Sequence, residues 1–219
     1  MNKSTIETTW LTEGLTHLAE DIYSLDQNQY MTSSSHSNEK RVVSFLKNTE
    51  TTNLLYDHNT KQRGGVYLFF RYLYEQAEKG LLPNAHSGKM LINLLSTSTH
   101  TGLENLFNSL YGIEATPSKF TSLISQFGIS LYLSDQGISD SPYFNFDGIN
   151  IRNIKLTNSF NFTSGPQCNE IKSIPFSHDI SGTSLCFYEV SKSIFTDTDK
   201  EFLIELKHDI NSKAFLFKL

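Results

Sequence analysis

The sequence predicts an α+β protein in two parts, a helical bundle over residues 1–140 and a small antiparallel β-rich domain over 141–219. Three observations predict it. Before about residue 140 the apolar residues recur at steps of three and four, the spacing of one helix face. Beyond Ser141-Pro142, short runs rich in β-branched and aromatic residues alternate with turn-forming groups, as strands do. The chain of 219 residues, 12% aromatic and only 19% charged, is long and apolar enough to bury a core.

The first helix begins near Thr8 or Thr9, where Leu11, Leu15, Leu18, Ile22 and Leu25 form an apolar stripe. A polar loop over 33–38 leads to a short helix carrying Val42, Val43, Phe45 and Leu46. After Gly64-Gly65, the residues Val66, Phe69, Phe70, Leu73 and Ala77 mark a buried helix that ends at Gly80, ahead of Pro83. Glycine accepts the left-handed turn at a helix end and proline cannot continue the helix. Two shorter helices follow over 87–96 and 101–111, the second closed by Gly112. Thr116-Pro117 then offers a capping hydroxyl and a first-turn proline to a helix carrying Phe120, Leu123, Ile124, Phe127 and Leu131. Strands are expected over 149–156, 171–176, 183–190, 202–207 and 213–219, with turns at Gly165-Pro166, Ser181-Gly182, Asp197-Thr198-Asp199 and Asn211-Ser212.

Composition excludes several classes of function. The net charge is −5 and no run of Lys and Arg exceeds Lys40-Arg41, so nucleic acid is not an expected partner. No apolar run approaches the roughly 18–20 residues that cross a bilayer, and the opening MNKSTIETTW lacks the apolar centre of an export signal. Neither a transmembrane segment nor an export signal is therefore expected. There is no G-x-S-x-G elbow, no phosphate-binding glycine loop and no C-x-x-C pair, which removes support for serine hydrolase, nucleotide-binding and thioredoxin readings. Cys168 and Cys186 could pair in an oxidising compartment, and the sequence leaves that pairing open. The Asp197-Thr198-Asp199 turn lacks the glycine and distal glutamate of a calcium loop.

At about 100° of rotation per residue, Glu13, His17, Glu20 and Asp21 fall on the side of the first helix opposite its leucine stripe. On periodicity alone they are the solvated side of an amphipathic helix.

The words around them carry more. Trp10-Leu11-Thr12-Glu13-Gly14-Leu15, followed by a helix, resembles the third-ligand segment of zinc peptidases of the thermolysin and aminopeptidase group. Arg63-Gly64-Gly65-Val66-Tyr67-Leu68-Phe69-Phe70-Arg71-Tyr72-Leu73, then Thr101-Gly102 and the Phe120 helix, resemble the helical subdomain behind the cleft of hyicolysin-like secreted metallopeptidases. The resemblance covers about residues 8–135, and in that family a β-rich tail also follows. It implies that Glu13 is a zinc ligand, and that His17 and Asp21, one and two turns along, hydrogen-bond the ligands and orient them. Catalytic zinc keeps three protein ligands and one open position for water. Tyr56 and Tyr67 are the candidates for the donor that stabilises the oxyanion, and the spacing fixes neither.

The sequence departs from the family at the central motif. Its histidines are His17, His36, His58, His86, His100, His178 and His208, and none forms H-E-x-x-H. Only nine residues precede Trp10, leaving no room for that motif upstream in this chain. Glu13 and His17 could act as a two-ligand clip joined by His58 or His36, although loop histidines at such separations are usually solvated. The expectation is therefore the C-terminal portion of a secreted zinc metallopeptidase, inactive alone, with a protein or peptide substrate. A separately encoded N-terminal half, a truncated frame or a decayed copy would each account for the missing motif. The family implies an extracellular or cell-surface location. The alternative is a non-enzymatic surface or ligand-binding module that uses the β-rich tail, or an α+β domain in which W-L-x-E-G is coincidence.

Overall fold

A computed structural model describes residues 6–26, 38–56, 58–157, 160–173 and 182–191. Among these, six α-helices precede four short strands, an α+β order. The helices are α1 Thr9–Asp26, α2 Asn38–Leu46, α3 Thr60–Glu78, α4 Gly88–Thr97, α5 Gly102–Tyr111 and α6 Pro117–Leu133. A 3₁₀ turn covers Thr49–Thr51, and the strands are β1 Ile154–Thr157, β2 Phe160–Phe162, β3 Cys168–Ile171 and β4 Phe187–Val190. No helix among the described residues is long and apolar enough to cross a membrane.

Capping side chains set most helix boundaries. Ser87 accepts the Met90 N–H at the start of α4, and Thr116 accepts the Lys119 N–H at the start of α6 with Pro117 in its first turn. Gly112 takes φ 64° to close α5. The start of α3 differs from expectation. Asn59 caps it, accepting from the Gln62 N–H at 2.9 Å, so Gly64-Gly65 lies inside the helix rather than ahead of it. Packing explains these glycines, because a Cβ at Gly64 would stand 2.0 Å from the Arg41 carbonyl oxygen and one at Gly65 would strike Leu54 and Phe45. The backbones of α2 and α3 meet there.

Helix α3 is the axis of the molecule. Val66 to Leu73 are all buried, the pattern of a helix enclosed on every side. Phe69 meets Phe70, Phe120 and Phe127 edge-on with ring centroids 5.5–6.4 Å apart, and Trp10 of α1 stacks on Phe70 at 5.7 Å. Phe146, Ile151, Ile154 and Phe162 belong to the same core, and Tyr72 meets Phe146 at 6.2 Å. Glu7 ties the start of α1 to α5 by accepting from the Gly102 N–H at 2.6 Å and from Asn105 Nδ2 at 2.8 Å.

The strands depart further from the sequence pattern. β1 and β2 pair antiparallel, with Ile154 opposite Phe162, but β3 and β4 pair parallel, with Cys168 opposite Phe187 and Ile171 opposite Val190. The expected antiparallel arrangement thus holds for the first pair and is corrected for the second. Parallel pairing needs a long return, and here the chain is tied to the helical layer before it enters β4. Thr183 Oγ1 accepts the Leu54 N–H at 2.8 Å, Ser184 Oγ donates to the Thr52 carbonyl at 3.0 Å, and the Leu185 N–H donates to the Thr49 carbonyl at 3.1 Å. Those commitments also delay β4 to Phe187. The other boundaries shift as well, because a turn at 151–153 holds β1 back to Ile154, while β3 starts early and β2 was not expected. Cys168 and Cys186 are both free. The register pairs Cys168 with Phe187, which turns Cys186 to the opposite face of the strand pair. The strands expected over 202–207 and 213–219, the 197–199 turn, His36, His178 and His208 lie outside the described residues.

Candidate functional site

Helix α1 buries Trp10, Leu11, Gly14, His17, Leu18 and Asp21. At about 100° per residue this face is rotated by roughly 60° from the leucine stripe, leaving Leu15 and Ile22 at its edge. The expectation of a solvated polar side is corrected for His17 and Asp21, which are 4% and 3% exposed. Buried polar groups need partners, and α2 and α3 supply them.

The upper layer centres on His17. Its Nε2 lies 3.2 Å from Glu13 Oε2 and its Nδ1 2.9 Å from Glu20 Oε2. Arg63 of α3 stands 3.2 Å from the other Glu13 oxygen. Arg41 of α2 donates to Glu20 at 3.2 Å and to Asn38 Oδ1 at 2.8 Å, while Asn38 Nδ2 donates to the His17 carbonyl at 3.0 Å. Glu13 and Glu20 sit at the rim, half-buried.

One turn deeper, Arg71 Nη1 donates to Asp21 at 2.6 Å and Nε donates to Glu75 at 2.8 Å. Glu75 also accepts the N–H groups of Asp147 at 2.6 Å and Gly148 at 3.1 Å, which clamps that loop to α3. Burial works against the Arg71 charge, but Asp21, Tyr67 and Glu75 around it outweigh that and raise its pKa. Tyr67 is fully buried, and burial together with the negative charge of Asp21 lifts its phenol well above the ordinary range. Tyr56 is 75% exposed, with its backbone N–H donating to Asn53 Oδ1 at 3.3 Å. The two tyrosines singled out by the sequence therefore stand in opposite environments, one sealed in the core beside Asp21 and one in solvent.

The donor set bears on a metal. The 3.2 Å between His17 Nε2 and Glu13 Oε2 is the distance of an ordinary imidazole–carboxylate contact within one helix. Among the described residues no group of three or more His, Cys, Asp or Glu side chains is placed to hold a metal ion, and His58 is exposed. The described residues thus do not form a complete zinc site by themselves. A separate open groove of about 710 Å³ between α4 and α5, lined by His86, Met90, Leu94 and His100 among others, includes no residue of this cluster and no carboxylate.

Sequence reasoning brought Glu13, His17 and Asp21 together and missed Arg41, Arg63, Arg71 and Glu75. A signal was present for two of them. Arg71 and Glu75 stand four apart, and Arg71 interrupts the otherwise uncharged run from Gly64 to Tyr74, where a charge needs a buried partner. No protein-family model, no curated protein and no solved structure matches the chain.

Proposed function

We propose that this chain is the C-terminal part of a secreted zinc peptidase similar to hyicolysin, with Glu13 as the carboxylate ligand. In this reading residues 1–140 are the second half of the catalytic domain and 141–219 a β-rich accessory part. The two imidazole ligands and the general base come from an H-E-x-x-H segment that these 219 residues do not contain. Held by three protein ligands, zinc lowers the pKa of a coordinated water towards neutrality and so supplies a nucleophile for peptide hydrolysis. Glu13 would supply a carboxylate oxygen at the rim of α1, where Arg63 stands 3.2 Å from one of its oxygens and His17 Nε2 3.2 Å from the other. The Asp21–Arg71 pair fixes the rotation of α1 on α3, and with it the direction of Glu13.

One observation carries this reading: the two words of the resemblance, 53 residues apart from Trp10 to Arg63, pack against each other. Trp10 stacks on Phe70, a Cβ at Gly14 would stand 2.1 Å from the Phe70 ring, and Glu13 meets Arg63 at 3.2 Å. The resemblance requires such a meeting of the two words, and the packing of α1 on α3 supplies it. The alternative, a ligand-binding module built on the β-rich tail, calls for an exposed aromatic patch over 145–219.

The test starts from the DNA upstream of the Met1 codon, translated in all three frames. An H-E-x-x-H segment is expected there, and the joined chain should hold stoichiometric zinc by elemental analysis and cleave peptides in a chelator-sensitive manner. Glu13→Gln should lose the zinc and the activity while keeping its helical circular dichroism, and the 219-residue chain alone should be inactive. Absence of the motif both upstream in every frame and from any separately encoded partner that restores zinc binding, or full zinc content in Glu13→Gln, would overturn the assignment.

A further inference from the structure

We propose that Glu39 is held protonated inside the junction of α1, α2 and α3, and that loss of this proton loosens α2 from the other two helices. Charge bookkeeping inside the junction carries the argument. Asp21 and Glu75 pair with the buried guanidinium of Arg71, and Glu39 is a third buried carboxyl group, with Asp21 the carboxylate that acts on it. Both donor edges that Arg71 turns inward are taken, one by Asp21 and one by Glu75. Glu75 is completed by two backbone N–H groups. Glu39 is left over. It is 6% exposed, and its Oε2 atom has no hydrogen-bond partner. An ionised carboxylate in that position would be desolvated and repelled by Asp21, which its own backbone N–H and the first turn of α2 offset only in part, whereas the neutral acid is not.

The charged and titratable groups around it come from all three helices. Asp21 lies across on α1, with His17 and Glu20 on the same helix; Lys40 and Arg41 follow Glu39 on α2; Tyr67, Arg71 and Glu75 are the buried titratable groups of the middle of α3. The cations give little relief, since Arg41 is committed to Glu20 and Asn38, and Lys40 is exposed. Burial is the largest influence on Glu39 and raises its pKa; its own backbone N–H opposes this, Asp21 adds to it, and Lys40 opposes it weakly. The sign of the linkage follows. With the folded pKa above the unfolded one, the stabilisation is complete at acid pH and is lost as pH rises through the folded value. That is the reverse of an ordinary ion-paired carboxylate. Because α1 and α2 meet through Asn38 and Arg41, which stand one and two residues from Glu39, α2 is the element that responds.

The deciding measurement is a carbon-13 NMR titration of the Glu39 carboxyl in the wild-type chain, together with hydrogen exchange of the α2 amides corrected for intrinsic rates. Glu39 should titrate above the ordinary carboxylate range, and α2 protection should fall several-fold as pH rises through the measured Glu39 midpoint. Glu39→Gln, which mimics the neutral acid, should remove that pH dependence. A Glu39 midpoint in the ordinary range, or an α2 protection profile in Glu39→Gln that still follows the wild type, would overturn the proposal. If Glu39→Gln does not fold, the wild-type carboxyl titration decides alone. None of these readouts involves zinc or peptidase activity, so this proposal and the functional assignment stand or fall separately.

Discussion

A methyl group at position 64 would stand 2.0 Å from the Arg41 carbonyl oxygen, while one at position 14 would stand 2.1 Å from the Phe70 ring. The distances are alike but the obstacles are not. At Gly64 the obstacle is the backbone of α2, which can move only by separating two helices; at Gly14 it is a ring, although one confined by Trp10 and Phe69. Overpacking a tight core usually costs about 1–3 kcal/mol, and more where backbone must shift. Gly14→Ala should therefore fall within that range and Gly64→Ala should exceed it, both read as a loss of urea-unfolding free energy. Equal and small losses would mean that α2 and α3 do not approach as closely as these contacts require. Each glycine lies within a word that drew attention for chemical reasons, and each does its part by letting two helices touch.

At the scale of elements, the helices were largely legible and the site only half so. Local signals sufficed for α4, α5 and α6, because Ser87, Gly112 and Thr116-Pro117 act within a turn of themselves. The start of α3 was not legible, since a glycine pair signals a break locally and becomes helical only when another backbone arrives. The rotation of α1 was hidden for a similar reason: His17 and Asp21 resemble a solvated face until Asn38 and Arg71 reach them from 21 and 50 residues away. The parallel pairing of β3 and β4 likewise depends on contacts with the 3₁₀ turn more than a hundred residues earlier. The Arg71 cluster gives this dependence a measurable size. Removing one member of a buried ion pair leaves an uncompensated charge and costs about 3–5 kcal/mol. Arg71→Met should lose about that much stability by urea unfolding and should also free the Asp147 and Gly148 amides to exchange, because Glu75 loses its cation. Replacing Asp21, Arg71 and Glu75 together by Asn, Met and Gln should recover much of the loss. A near-neutral Arg71→Met would mean that water reaches the cluster.

For the molecule as a whole, the aromatic core makes high pH the informative stress. Tyr67 and Tyr72 of α3 and Tyr111 of α5 are buried or nearly so, and burial pushes each phenol upward. Tyr72 rises to about 12, with burial the main cause and a hydrogen bond to Ser130 acting against it. In the unfolded chain such phenols ionise near 10. The folded values are the higher ones, so the contribution to stability is complete below about pH 10 and is lost as pH climbs towards the folded values. Two pH units for Tyr72 alone correspond to roughly 3 kcal/mol, a sizeable share of the 5–15 kcal/mol that typically separates folded from unfolded chains. The expected result is a cooperative loss of helical circular dichroism between about pH 10 and about pH 12, with the buried phenolates gaining ultraviolet absorbance in the same transition. Tyr72→Phe removes one of those ionisations and should move the midpoint to higher pH. Were the buried phenols instead to ionise while the helical signal stayed intact, hydroxide would be reaching α3 in the folded protein, and the helix enclosed on every side would have to be redrawn with an open flank.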